Sequence, residues 1–183
     1  ISVQSMTNTD THNAQATVEQ IVALKNAGCD IVRIAVPDIE AAETVKYIKS
    51  RIPDIPLVAD IHFDYRIALK CAEYGVDKIR INPGNIGDEE RVRAVCAACR
   101  ERKIAIRIGV NGGSLEKHLL EKYGAPTPEA LFESAEGHIR LLNKFDFDDI
   151  VISVKSSDVS SAIAACRYVA ERCIYPLHIG VTE

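Results

Sequence analysis

The chain of 183 residues has 47% hydrophobic and 26% charged residues, a composition that excludes a disordered, collagen-like or coiled-coil protein. Its formal net charge of -4 at pH 7 argues against an electrostatic nucleic-acid binder, which needs a basic face. No apolar run approaches the roughly 18 residues of a membrane span. Because one strand-like run begins at Ser2, directly after the first residue, and another is just ending over residues 179–183, we expect the chain to be a piece of a longer protein.

Short β-branched runs alternate with longer helical patterns along the chain. This alternation predicts a parallel sheet built from βα units. Strands are predicted at residues 2–7, 30–36, 56–62, 77–82, 104–111, 149–155 and 176–181. Helices are predicted at residues 14–27, 40–51, 65–74, 88–102, 127–145 and 160–172.

Two parallel architectures fit seven such strands, an open doubly wound sheet and a (β/α)₈ barrel. The segment 6–10 after the first strand reads Met-Thr-Asn-Thr-Asp, without the Gly-x-Gly-x-x-Gly turn of a dinucleotide-binding fold. A complete barrel takes about 250 residues. We therefore predict an α/β TIM-barrel domain over residues 1–183, with seven of eight strands present. An insert at 113–124 follows the fifth strand, at the end where barrels build their sites.

Polar residues occupy alternate positions within these strands. In the fourth strand Arg80 and Asn82 alternate with Ile79 and Ile81. The period of two places the apolar side chains under the helices and the polar side chains toward the barrel axis. The polar set comprises Arg33, Asp60, His62, Arg80, Asn82, Arg107, Asn111, Ser153 and Lys155.

Three arginines and a lysine in one barrel mouth predict an anionic ligand. Without compensation their charges would repel and be costly to desolvate. Guanidinium groups bind phosphate oxygens in bidentate fashion, and glycines in the turns 82–85 and 111–114 let backbone N–H groups approach an anion. Asp60 could instead pair with Arg33 or Arg80 in a purely structural role. We favour the ligand site because the cations outnumber the inward carboxylates.

The six cysteines predict reduced, structural thiols. The pair Cys96 and Cys99 has metal or redox spacing, but it lies within a helical stretch with no second cysteine pair. His12, His118 and His138 are assigned solvated or capping roles. No motif brings metal ligands together, so we predict no metal site in this chain.

Five segments of the sequence strongly resemble the bacterial 4-hydroxy-3-methylbut-2-enyl diphosphate synthases of the non-mevalonate isoprenoid pathway. They are VQSMTNT (3–9), VADIHFD (58–64), IRINPGNIG (79–87), IRIGVN (106–111) and LHIGVTE (177–183). The resemblance implies an oxidoreductase whose TIM barrel holds 2-C-methyl-D-erythritol 2,4-cyclodiphosphate, which is opened reductively. It also implies a C-terminal 4Fe-4S domain, absent from this chain, whose three cysteines and one glutamate hold the cluster. The fragment alone is then expected to be inactive.

The same resemblance implies a homodimer that receives electrons from ferredoxin or flavodoxin. From its net charge, its lack of a long apolar run and its reduced thiols, we predict that the chain is cytoplasmic and has no nucleic-acid or membrane partner. Position by position, the diphosphate-binding cations match Arg33, Arg80, Arg107 and Lys155. Polar pocket residues match Asp60, His62, Asn82 and Asn111, with Ser153 as a weaker candidate. Glu183 matches an acidic catalytic residue near substrate and cluster, with a role in proton transfer.

Two alternative functions are compatible with the pattern of residues. One is another phosphate-binding barrel enzyme, such as a pterin-binding synthase of the dihydropteroate type, which also places Asn, Lys and Arg at strand ends. The other is a non-catalytic scaffold fragment, which would have no use for cations at inward strand positions.

Overall fold

The computed structural model describes residues 1–180, which form two compact units. The first unit contains residues 1–81 and 85–106, and the second contains residues 82–84 and those from 107 onward. Within the described residues there are six β-strands, eight α-helices and one 3₁₀ turn at Gly112–Ser114. The strands are β1 (Gln4–Met6), β2 (Ile31–Ala35), β3 (Leu57–Asp60), β4 (Lys78–Ile81), β5 (Ala105–Asn111) and β6 (Ile150–Lys155). The helices are α1 (Ala14–Asn26), α2 (Ile39–Arg51), α3 (Tyr65–Glu73), α4 (Pro83–Ile86), α5 (Glu89–Arg102), α6 (Lys117–Tyr123), α7 (Pro128–Asn143) and α8 (Val159–Ala170).

In the first unit, β1 to β4 pair as consecutive parallel strands. The helices between them begin where a side-chain oxygen accepts a hydrogen bond from a free backbone N–H, as Asp38 does for α2 and Asp88 for α5. Isoleucine and leucine of the strands, such as Ile34, Leu57 and Ile79, are fully buried. The β-branched runs therefore form strands that are covered by helices, as expected for a parallel sheet.

In the second unit, α7 packs against α8 and against β6. Thr127 caps α7, and Pro128 occupies the first helical turn. Proline is tolerated there because the N–H groups of the first turn have no hydrogen-bond partner within the helix. Leu131, Leu142 and Ile152 are buried in this unit. The helix α7 thereby carries an apolar face toward the sheet.

Within the first unit the strand order is β1-β2-β3-β4, the same as the order along the chain. Each predicted strand from the first to the sixth is present, shortened by one to three residues. In place of the seventh, a single parallel bridge joins Leu177 to Ile152. Ile152 donates to the carbonyl of Pro176 and accepts from His178. Proline has no N–H with which to extend this ladder.

Two segments contain helix that the sequence analysis did not predict. The turn 82–85 overlaps the short helix α4, and the insert 113–124 contains α6. Within residues 1–180, no helix combines the length and apolar character that crossing a bilayer requires.

Candidate functional site

In the first unit, four of the predicted site residues meet around one carboxylate. Asp60 ends β3 and is 6% exposed, and its Oδ1 accepts a hydrogen bond of 3.1 Å from Arg80 on β4. The strand register pairs Asp60 with Arg80 directly. Arg33 Nε lies 3.6 Å from Asp60 Oδ2, and His62 Nε2 lies 3.6 Å from Oδ1. The predicted pairing of Asp60 with an arginine is thus present, and it involves both arginines.

One carboxylate between two guanidinium groups leaves this cluster with excess positive charge. Burial lowers the pKa of Arg33, and the positive charge of Arg80 lowers it further, whereas the negative charge of Asp60 raises it. The Nε and Nη2 groups of Arg33 lie 3.0 and 2.8 Å from the sulfur of Met6, a weak acceptor. Sequence reasoning did not single out Met6. Asp60 and the Met6 sulfur compensate only part of the cost of desolvating the Arg33 guanidinium. A further anion near Arg33 would compensate more of it.

His62 differs from its neighbours because its side chain is 56% exposed. It follows the end of β3 and makes an edge-on ring contact with Phe63, which is 73% exposed. The residue therefore lies at the carboxyl end of the strand, as predicted, where a ligand can reach it.

In the second unit, the ends of β5 and β6 line a cavity of about 390 Å³. Asn111 is the last residue of β5, and Lys155 is the last residue of β6. Both were predicted site residues. The lining consists of Asn111, Gly112, Gly113, Ser114, Lys155, Ser156 and Ser157. A lysine, serine hydroxyls and glycine backbone are the groups that bind phosphate in proteins.

Gly112 lets the chain turn sharply beside Lys155. A Cβ at this position would lie 3.3 Å from Cβ of Pro126 and 3.7 Å from the carbonyl oxygen of Lys155. At Gly113 a Cβ would meet nothing within 4 Å. A side chain at the first glycine would therefore crowd Pro126, whereas the second glycine lies on the open side of the turn.

Arg107 on β5 and Ser153 on β6 are each 1% exposed. The hydroxyl of Ser153 and Oδ1 of Asn111 are buried and have no hydrogen-bond partner among residues 1–180. Buried polar atoms without partners are uncommon, and each needs an explanation. A bound ligand or water would satisfy them.

Asn82 follows β4 and is held by its own turn, because its Oδ1 accepts a hydrogen bond of 3.0 Å from Gly84 N–H. A Cβ on Gly84 would lie 3.3 Å from Cε1 of His138, so the turn contacts that imidazole closely. His138 is 8% exposed, so the solvated or capping role expected from its sequence is wrong. The spacing of four residues between Ser134 and His138 could have indicated that His138 is buried, because it places both residues on one face of α7.

Glu183, the predicted catalytic acid, lies outside the described residues. Among residues 1–180, no group of three or more His, Cys, Asp or Glu side chains is placed to hold a metal ion. Cys71, Cys96 and Cys99 are buried, whereas Cys29, Cys166 and Cys173 are partly exposed. The described part of the chain therefore does not fit an iron-sulfur cluster.

Comparison with known proteins decides the family. Residues 1–183 match the model of the GcpE TIM-barrel domain. The chain belongs to this family. The resemblance seen in the five motifs and the predicted TIM-barrel fold are both confirmed, and the pterin-binding alternative is not supported.

Two curated relatives carry the same name. The chain is 63% identical over 183 residues to the 4-hydroxy-3-methylbut-2-en-1-yl diphosphate synthase (flavodoxin) of Pseudoalteromonas translucida, and 63% identical to that of Idiomarina loihiensis. Each match covers 100% of this chain and 49% of the relative. The chain thus spans about half the length of these relatives. A 3-dehydroquinate dehydratase structure from Enterococcus faecalis shares the fold alone, with a TM-score of 0.69, 12% identity, and coverage of 100% of this chain and 79% of the other.

Proposed function

We propose that this chain is the diphosphate-binding barrel of a 4-hydroxy-3-methylbut-2-enyl diphosphate synthase, which opens 2-C-methyl-D-erythritol 2,4-cyclodiphosphate reductively. The observation that carries the proposal is the cavity where Asn111 and Lys155 meet a glycine turn and serine hydroxyls. Such a cavity suits a phosphate group, and the curated relatives carry the name of an enzyme whose product is a diphosphate.

Charge and geometry support the proposal that this cavity binds phosphate. The Lys155 ammonium supplies positive charge at the end of β6, and backbone N–H groups of the 112–114 turn can donate to phosphate oxygens. We propose a binding role for Arg107 and Ser153 on the same two strands. In the first unit, we propose that Arg33 and Arg80 also bind negative charge, with Asp60 orienting both guanidinium groups.

Reduction needs electrons, and the described residues offer no set of ligands for a metal. We therefore propose that a 4Fe-4S cluster is held outside this chain, in a separate domain of a longer, homodimeric cytoplasmic enzyme. We expect flavodoxin as the reductant, as the name of the relatives suggests, with ferredoxin as the alternative. The 183 residues alone should not turn over substrate.

The remaining polar residues have proposed roles toward the substrate. Asn82 and His62 lie just after the ends of their strands and are proposed to bind its polar groups. Glu183 is proposed to move a proton as the hydroxyl group is lost, a role that rests on the motif resemblance.

Isothermal titration of the full-length protein with the cyclic diphosphate tests the binding proposal. Lys155→Ala should weaken binding about tenfold or more, since it removes a charge-assisted contact. Lys117→Ala is the matched control, because that side chain is 90% exposed and lies outside the cavity lining, and its affinity should equal the wild type. Equal affinities of wild type and Lys155→Ala, or a wild type that does not bind, would refute the proposal and favour the scaffold alternative.

The role of Glu183 has its own experiment. Glu183→Gln should keep the affinity for the cyclic diphosphate within about threefold and abolish most turnover of the reduced full-length enzyme. Turnover at the wild-type rate would remove Glu183 from the proposed catalytic residues.

A further inference from the structure

The turn that holds Asn82 lies beside a group of three side chains, two of them buried and one partly exposed, that the sequence analysis did not assign to the site. His138 and Ser134 lie on α7, are 8% and 4% exposed, and are four residues apart. Glu116 precedes α6 in the insert. Ser134 Oγ donates to Glu116 Oε1 over 2.9 Å, and His138 Nε2 lies 3.2 Å from the same oxygen. All these residues and the turn 82–84 belong to the second unit.

One edge of the imidazole ring contacts both the carboxylate and the turn. Nε2 faces Glu116, and the neighbouring ring atom Cε1 would lie 3.3 Å from a Cβ placed on Gly84. Burial lowers the pKa of His138, while Glu116 opposes this shift. Nε2 is buried and makes no hydrogen bond to residues 1–180, so its 3.2 Å approach to Glu116 Oε1 is an electrostatic contact. This edge of the ring therefore lies next to both the Glu116 carboxylate and the turn at Gly84.

The turn 82–84 fixes the orientation of the Asn82 side-chain amide. Because Gly84 N–H donates to Oδ1, the carbonyl end of the amide faces the turn. The Nδ2 end, which carries two N–H donors, then points to the opposite side. An anion is recognised by such donors and repelled by the carbonyl oxygen. The orientation of this one amide therefore matters for binding a phosphate.

We propose that His138 and Glu116 are positioning residues, which hold the turn 82–84 so that Asn82 presents Nδ2 to the diphosphate ligand. The inference rests on the proposed function for the identity of the ligand. The effect is transmitted by packing and by one carboxylate, without contact between these two residues and the ligand.

A double-mutant cycle with inorganic diphosphate as the probe tests this in the full-length protein. His138→Ala should weaken binding about tenfold, and Asn82→Ala by a similar factor. Because His138 acts through Asn82, the double variant should bind no more weakly than Asn82→Ala within about twofold. Additive losses, about a hundredfold together, would overturn the inference. His138→Gln, which keeps an N–H donor near Glu116, should restore binding to within about threefold of wild type.

Amide hydrogen exchange without ligand separates this inference from the proposed function. In His138→Ala the Gly84 amide should exchange about tenfold faster, measured against the Ile152 amide, which donates to Pro176 in the same unit. Leu142→Ala, a buried change on the same helix, controls for general loss of stability and should leave this ratio unchanged.

The outcomes are distinct. An unchanged Gly84 ratio in His138→Ala overturns the positioning role whatever the affinities are. A changed ratio in a protein that does not bind diphosphate supports the positioning of the turn and refutes the proposed function.

Discussion

Arg80 and Asp60 are register partners on adjacent parallel strands, and Arg80 Nη1 donates to Asp60 Oδ1 over 3.1 Å. Both side chains are about nine-tenths buried, and Arg33 approaches the other carboxylate oxygen at 3.6 Å. The carboxylate thus serves two guanidinium groups at once. Its removal would leave two buried cations close together.

Asp60→Asn should lower the free energy of unfolding by about 3–5 kcal/mol, because it removes the negative charge from a buried ion pair. Urea unfolding of the two proteins measures this difference. Glu90→Gln is the control, since Glu90 pairs with Arg93 on the surface and its loss should cost at most about 0.5 kcal/mol. Equal losses for the two variants would contradict a structural role for Asp60.

Gly112→Ala should destabilise the turn beside the cavity, because the added Cβ would lie 3.3 Å from Cβ of Pro126. We expect a loss of about 1–2 kcal/mol in unfolding free energy and weaker diphosphate binding. Gly113→Ala has open space around its Cβ and should stay within about 0.5 kcal/mol of wild type. The prediction fails if the two alanine variants have the same stability.

His12 joins two loops of the first unit and should make stability depend on pH. Its Nδ1 lies 2.6 Å from Asp10, and its Nε2 lies 3.0 Å from Asp38. The hydrogen bond to Asp10, and then that to Asp38, raise the pKa of His12 above 6.5. The hydrogen bond from His12 lowers the pKa of Asp10 below 3.8. The pKa of Asp38 is also lowered below 3.8, chiefly by the hydrogen bond that it accepts from the Ala41 N–H.

Because the pKa of His12 is higher in the folded state than in the unfolded state, protonated His12 stabilises the fold below pH 6.5. This contribution is lost as the pH rises through the pKa of His12 in the folded protein. The lowered carboxyl pKa values contribute above pH 3.8 and are lost as the pH falls further. The unfolding free energy of wild type should therefore exceed that of His12→Gln most between about pH 4 and 6.5 and least above about pH 8. A difference independent of pH would contradict a charged bridge.

The cysteines should react with thiol reagents according to their burial. Burial raises the pKa of Cys71 and Cys96 to about 12, so at neutral pH these thiols carry almost no reactive thiolate. In the native protein, Cys29 and Cys173 should be modified first by the aromatic disulfide dithiobis(nitrobenzoate), and Cys71 and Cys96 last, as located by mass spectrometry. In guanidinium chloride all six should react at similar rates. Rapid native labelling of Cys96 would contradict its burial on α5.

Much of the fold could be predicted from periodicity. Alternating Ile79, Arg80 and Ile81 identified a strand, because side chains of a strand alternate between two faces and parallel strands are covered on both. The seventh strand could not be predicted reliably from its own residues. Its β-branched pattern is present, but the described part shows one bridge at Leu177, since a ladder depends on the neighbouring backbone.

Parts of the candidate site were also visible in the sequence. The prediction that Asn111 and Lys155 lie at strand ends placed both on the same cavity, because carboxyl ends of parallel strands meet at one edge of a sheet. The roles of the site residues stay predictions until binding is measured. Glu183 came from motif resemblance alone, since a terminal carboxylate has no distinguishing pattern.

What the sequence by itself determined is the class of fold, the family, and which strand positions carry charge. These follow from local patterns and from motifs of five or more residues. The tertiary structure decided which charges meet. Two arginines, Arg33 and Arg80, share the carboxylate of Asp60. The sequence predicted a solvated or capping role for His138, but this residue is buried next to Glu116 and the turn of Asn82. Such contacts join residues 20 or more positions apart, and their distances depend on strand register and helix packing, which no local pattern encodes.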